Sequence, residues 1–434
     1  MHSAKANAGT TICSNISDVN ARFHETTWTV GAIPIRVVLA LVLCALLMIA
    51  ARPTQAQTDL YGFKGGSDGA YPLSPLTFDN AGNLYGMTNG GAFYGQPGYG
   101  TVFELSPNGS GGWNESVLYN FCSAPNCADG ATPTFSSLVF NSQGNLYGTA
   151  SAGGAYGYGV VFELSPSGSN WTETVLYSFA NDGDGAYPQN GVIFDHAGNL
   201  YGTTCNCGSG GNGNGGVFEL SPSAGGWTEQ LIYPVDATAS YAGLTIDTEG
   251  NIFGTTLSTV FELSPNGNGG WTPAVIHTFD GPNDGDDAQG TPAFDHDGNL
   301  YGTTTSGANG NGTVYKLTLV TKGTHKGNWT EKILHRFTGR RGDGQLPFGG
   351  VVVDAAGNVY GTTVVSGSRK ANAGIVYELV PPVGNGKYDE DILCQFLGYD
   401  GSQPYSSLIL DGSGNLYGTA SYGGGYGDVF EVTP

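Results

Sequence analysis

The sequence predicts an all-β chain folded as a seven-bladed β-propeller of four-stranded blades, with the ring closed by the N-terminal strand completing blade seven. Three observations carry that expectation. The phrase Gly-Asn-Leu-Tyr-Gly recurs with small variations from Gly82, Gly144, Gly198, Gly250, Gly298, Gly357 and Gly414, a period of roughly fifty residues. Between the copies the chain is rich in glycine (73 residues), tyrosine (24) and phenylalanine (20) and only 12% charged, which excludes disorder and reads as short aromatic strands between tight turns. The last unit stops one strand short, and a segment with the missing pattern stands ahead of the first unit.

The leader comes first in the chain. Val37 to Ala51 is an apolar run preceded by Arg36 and followed by Thr54-Gln55-Ala56, the layout of a signal peptide cleaved after Ala56 and too short to cross a bilayer comfortably. Residues 1–56 are therefore expected to be a signal peptide with a long n-region, and residues 57–434 the propeller. A secreted or periplasmic monomer, with no membrane insertion after signal removal, follows from that division.

Each repeat then reads as four strands. The first is an apolar triplet ending in an acid or amide, as in Leu76-Thr77-Phe78-Asp79. An Asp-x-x-Gly turn follows, where glycine supplies positive φ and the aspartate can bond the turn amides. Asn-Leu-Tyr-Gly-Thr-Thr forms the second strand, and a glycine-rich loop leads to the third, Val-Phe-Glu-Leu-Ser-Pro, which proline ends. The fourth, from Trp113 or Trp171, alternates with a period of two. Unit seven ends on its third strand, Val429 to Val432, while Thr58 to Phe63 carries the fourth-strand pattern. Pairing the two removes an exposed sheet edge.

These units, D-x-x-G-N-L-Y-G-T-T, G-x-V-F-E-L-S-P and W-T-E-x-V-L-Y-x-F, resemble the GloVer tandem repeat of exported bacterial "choice-of-anchor" proteins from Leu60 to Pro434. The resemblance implies an extracellular location and brings no activity or site residue with it.

Charge and cysteine narrow the partners. The formal charge is −21, and four of the fifteen basic residues lie in the leader, so the propeller repels phosphate backbones; neither nucleic acid nor membrane is an expected partner. Cys122 and Cys127 are close enough in sequence to bridge in an exported protein. No two histidines have metal-ligand spacing, so no metal site and no cofactor is expected. His277 and His335 replace the usual tyrosine of the fourth strand, and His196 and His296 share a turn position. The acidic loops Asn181 to Asp184 and Asn283 to Asp287 offer oxygens to calcium but lack a full ligand run, which favours solvated turns.

A propeller repeats its scaffold and uses its site once, so departures from the repeat are the candidates. The turn aspartates and the third-strand glutamates recur too often to be catalytic, and no catalytic residue is assigned. On the face bearing the loops between second and third strands and between blades, blades seven, one and two carry Tyr422 and Tyr426, then Phe93, Tyr94 and Tyr99, then Tyr156 and Tyr158. Such rings can stack on sugars or pack on protein. Around blades five and six the same face bears Arg340, Arg341, Arg369 and Lys370, which would attract an anionic group. In blade four, Thr255 to Thr259 joins two strands with almost no loop. The expectation is an exported, non-catalytic propeller binding a glycan or extracellular protein. Its alternatives are a lyase or hydrolase of acidic polysaccharide and a structural envelope protein without a ligand.

Overall fold

A computed structural model describes residues 10–12, 56–90, 98–205, 215–235, 242–307, 310–340, 342–367, 372–384 and 386–434. The expected signal peptide therefore lies outside the described residues, except for Thr10–Ile12 and Ala56. The described chain forms seven antiparallel sheets arranged as propeller blades, with two short 3-10 turns, Gly66–Asp68 and Pro125–Cys127. Blade one consists of Thr77–Phe78, Leu84–Thr88, Thr101–Pro107 and Trp113–Asn120, and blades two to six repeat that order.

The repeat phrase has a packing reason at almost every position. The second strand, Leu84–Thr88 in blade one, is buried along its whole length. Its glycine is required because the tip of the third-strand aromatic ring fills the space above it: a Cβ at Gly86 would stand 2.6 Å from Phe103 Cζ, and one at Gly148 would stand 2.9 Å from Phe162 Cζ. Aromatic and glycine thus fill one another across the strand pair. Before it, Asp79 closes the turn with both carboxylate oxygens, Oδ1 accepting from the Ala81 and Asn83 N–H groups and Oδ2 from Asn83 Nδ2 and Tyr85 Oη. Asp195, Asp295, Asp354 and Asp411 repeat this set, so the recurring turn acids are spent on the scaffold.

Every fourth strand carries a bulge at one place. In blade one Val102 faces Tyr119 and Phe103 faces Val117, leaving Leu118 as the extra residue. Ala56–Gly62 pairs antiparallel with Asp428–Val432 and reproduces that bulge, with Val429 facing Tyr61 and Phe430 facing Asp59. The N-terminal strand is therefore the fourth strand of blade seven in register as well as in place, and it closes the ring. Thr10–Ile12 adds a short strand to its outer edge.

Neighbouring blades are pinned on the loop face by a proline. Pro133 of blade two packs under Gly100 of blade one, where a Cβ would stand 2.6 Å from the proline ring, and Pro347 and Pro404 sit under Gly312 and Gly374 in the same way. The residue before each proline is left-handed, as at Tyr71, Thr132, Tyr187, Leu346 and Gln403. Its N–H bonds a carbonyl in the loop of the preceding blade: Tyr71 to Tyr426, Thr132 to Tyr99, Tyr187 to Tyr158. Recurrence in blade after blade makes this backbone conformation part of the ring's joinery.

Candidate functional site

The tyrosines of the loop face divide by what lies beneath them. Tyr99, Tyr158 and Tyr426 occupy one position, immediately before the glycine that receives the next blade's proline. Tyr158 meets Tyr187 edge-on at 5.6 Å, and Tyr426 meets Tyr71 at 6.2 Å, so each ring lies against the left-handed residue of the next blade. Tyr422 also packs on Tyr71, at 5.2 Å. In the blade after Tyr99 that residue is Thr132, too small to meet the ring, and Tyr99 stays 47% exposed. Tyr156, on the blade-two glycine loop, is 63% exposed. Phe93 and Tyr94 lie outside the described residues, as do Arg341, Arg369 and Lys370; Arg340 is exposed on the loop face.

Phe135, Phe348 and Tyr405, from three different blades, meet with ring centroids 4.9 Å apart for Phe135 and Phe348 and 5.4 Å apart for Phe348 and Tyr405, and line a small cavity with Leu73, Asn190 and Gln289. The three rings come from blades two, six and seven and occupy one position, six residues before the turn acid or amide. Burial, then the neighbouring Tyr422, pushes the Tyr405 phenol up. Sequence reading missed these rings, although lining up the repeats on the turn residue would have shown them.

The opposite face holds a cleft of about 990 Å³ between the turns of blades three, four and five. Phe194, Ile246, Phe294 and Trp329 line it, with His196, Glu249, His296 and Asp297 among its polar residues. That volume is of the order of small-ligand pockets. Asp195 and Asp295 in the wall are saturated by their turns. His296 Nδ1 stands 3.3 Å from Asp297 Oδ1, both exposed. The two turn histidines, dismissed in sequence as repeats of one position, thus open on one cavity. Lys316, which replaces the recurring glutamate, is tied to Asp295 at 3.5 Å and lies over the Tyr301 ring.

A third polar system joins adjacent fourth strands around the rim. Tyr61, Tyr119, Tyr177, His277, His335 and Cys394 hold equivalent places opposite the third strand's valine. A loop aspartate follows each: Asp68, Asp129, Asp184, Asp284, Asp343 and Asp400. Tyr119 Oη donates to Asp129 at 2.7 Å and Tyr177 Oη to Asp184 at 2.9 Å. The next blade contributes a glutamate, Glu115, Glu173 or Glu229, whose Oε1 is buried without a hydrogen-bond partner. Burial, then the nearby Asp129 and Asp184, pushes the Glu173 and Glu229 carboxyls up to about 7. Asp129 goes the other way. Burial raises it, but bonds from Tyr119, from the Ser123 hydroxyl and from the Ser123 and Ala124 N–H groups outweigh that and hold it below the usual carboxylate range. A neutral glutamic acid beside an ionised aspartate is the arrangement such a buried pair favours. At the last junction both ends change together, Cys394 Sγ contacting Gln57 Oε1 at 2.9 Å.

With histidine in the tyrosine's place, three metal-type ligands converge twice: His277 with Asp284 and Glu331, and His335 with Asp343 and Glu390. Histidine spacing alone could not reveal these sets, because two carboxylates of each come from a loop and from another blade. The two acidic loops weighed for calcium supply Asp184 and Asp284 to these junctions. Elsewhere, Cys122 and Cys127 are joined as a disulfide within a single loop. No helix among the described residues is long and apolar enough to cross a membrane.

The fold and its joinery define a tandem-repeat β-propeller closed by its chain ends. More particularly, the chain belongs to the Gloeobacter/Verrucomicrobia repeat family, whose pattern it matches over residues 95–258 and 257–434. The sequence matches no curated protein. Among solved structures it is similar to a gluconolactonase from Xanthomonas campestris, at 12% identity, 89% of this chain, 92% of that chain and a TM-score of 0.43. It is also similar to an α-L-arabinanase from Penicillium chrysogenum, at 12% identity, 88% of this chain, 98% of that chain and a TM-score of 0.46. At such identities neither likeness bears on substrate or residue.

Proposed function

We propose that this is an exported binding propeller that holds a glycan on its loop face. One observation carries the reading: Tyr99 and Tyr156 stand exposed on glycine loops of adjacent blades, while Tyr158 and Tyr426 are packed against the neighbouring blade. Half-uncovered rings on neighbouring blades give a sugar two stacking platforms. An acidic glycan would in addition approach Arg340, Arg341, Arg369 and Lys370. Catalysis finds less support, since the recurring acids of both faces are already bonded within their turns. A second reading, a small ligand in the cleft of the opposite face, is favoured by its apolar floor and by His196 and His296.

Glycan-array screening followed by calorimetry tests both. Tyr99→Ala and Tyr156→Ala should each weaken a bound oligosaccharide by roughly 1 kcal/mol, about fivefold, as a lost aromatic stack does. His196→Ala with His296→Ala should leave that affinity unchanged. The opposite pattern transfers the site to the cleft, and unchanged affinity in both sets refutes the two readings together.

A further inference from the structure

The geometry points to two zinc-class metal sites stapling blade four to blade five through His277, Asp284 and Glu331, and blade five to blade six through His335, Asp343 and Glu390. At the corresponding tyrosine junctions a phenol donates a short hydrogen bond to the aspartate, 2.7 Å at Tyr119 and 2.9 Å at Tyr177. His277 does not reproduce that bond, and His335 makes a longer one, 3.1 Å to Asp343 Oδ1. His277 Nε2 stands 3.3 Å from Asp284 Oδ2 and 3.5 Å from Glu331 Oε1, and both His277 Nε2 and Glu331 Oε1 are buried with no hydrogen-bond partner. A charge-assisted bond would close to about 2.7–2.9 Å. Ligand atoms about 2.0–2.1 Å from a tetrahedral zinc, by contrast, stand about 3.3–3.4 Å from one another. The second cluster brackets that spacing, with Asp343 Oδ1 hydrogen-bonded at 3.1 Å and Glu390 Oε1, buried with no hydrogen-bond partner, at 3.8 Å from His335 Nε2.

The surroundings hold the ligands in place for such an ion. Each imidazole is steadied edge-on by the phenylalanine two residues later, His277 by Phe279 at 4.8 Å and His335 by Phe337 at 4.7 Å. Each aspartate spends one oxygen on a loop N–H at 2.7 Å, Asp284 Oδ1 on Asp280 and Asp343 Oδ2 on Thr338, which turns the other oxygen toward the histidine. Outer hydrogen bonds of this kind orient metal ligands. Arg336 lies near Glu331 but gives its guanidinium to the Asn283 carbonyl, and among the described residues no lysine or arginine is ion-paired with any of the six ligands. One imidazole and two carboxylates suit zinc, with water completing the coordination.

The repeat itself supplies the control, because His277→Tyr and His335→Tyr recreate the tyrosine junction found elsewhere in the ring. Tag-free, full-length protein stripped with chelator should retain two equivalents of added Zn²⁺ after desalting, measured by elemental analysis, and its melting temperature should rise. Each single variant should retain one equivalent, and the double variant none, while still folding and no longer responding to Zn²⁺. Wild-type protein that retains no zinc overturns the proposal. So does a folded double variant that retains both ions. One equivalent in the wild type, lost in a single variant, overturns the other junction's site.

Discussion

The junctions around blades one to three and those around blades four to six solve one geometric problem with different chemistry. On the tyrosine side, Asp129 accepts from a phenol, a hydroxyl and two backbone N–H groups, so the rim is held by saturated hydrogen bonds. On the histidine side, Asp284 accepts from the Asp280 N–H and meets its histidine at 3.3 Å without a hydrogen bond. The difference shows that the position tolerates exchange when its partners change in concert, as Cys394 and Gln57 do at the ring's seam. It also shows that the exchanged copies are where a repeat protein can acquire chemistry its scaffold lacks.

The largest disruption should come from the seam. Deleting residues 57–62 removes a junction partner and a whole strand, and its melting temperature should fall further than that of any single substitution, with aggregation through the bared edge. A truncated protein that melts like the parent would deny that the ends close the ring. Next, Asp129→Ala strands several donors at once and should cost roughly 2–4 kcal/mol by urea denaturation, whereas Asp284→Ala in chelated protein should cost about 1 kcal/mol. Equal losses would erase the contrast between the two sides. Tyr119→Phe, which removes the hydroxyl's contacts with Asp129 and Ser123 and little volume, should cost about 1 kcal/mol.

The smallest effect is a pH dependence. The Glu173 carboxyl, at about 7 in the folded chain against an ordinary 4.5, contributes stability that is fully present below the ordinary value and is lost as pH rises through about 7. Asp129, held below 3.8, contributes stability present above that value and lost in stronger acid. Tyr119, facing both, stays protonated throughout, its phenol raised chiefly by burial. The junction should therefore be firmest on the acid side of neutrality. Glu173→Gln should flatten the part of the fall in urea midpoint between about pH 5 and about pH 8 that this group causes. An unchanged profile would mean that Glu173 is ionised throughout.

Blade number, strand order and closure were legible because each depends on local pattern: Gly86 under Phe103, the Asp79 turn, and the fourth-strand pattern of Thr58 to Phe63. The replacement of tyrosine at His277 and His335 was legible too, but its meaning was not, since Glu331 and Glu390 arrive from the next blade. Candidate rings could be named from sequence, yet their exposure depends on the size of one residue in the adjacent blade, threonine at Thr132 against tyrosine at Tyr187. The cluster of Phe135, Phe348 and Tyr405 escaped for a related reason. Its members are spread over three blades and meet only in the folded ring.

The pairing of Gln57 with Val432 makes the seam a matter of timing as well as of structure. Most strands find their partners within a few dozen residues, so individual blades can form as local units while the chain is still being made. The strand that begins the ring must wait for the one that ends it, and such a long-range contact bears the greatest loop-closure entropy and forms late. Until then the nascent propeller is an open arc with two bare edges. Its passage through that arc, more than the depth of its final energy well, sets the interval in which it is vulnerable to proteases and to other copies of itself.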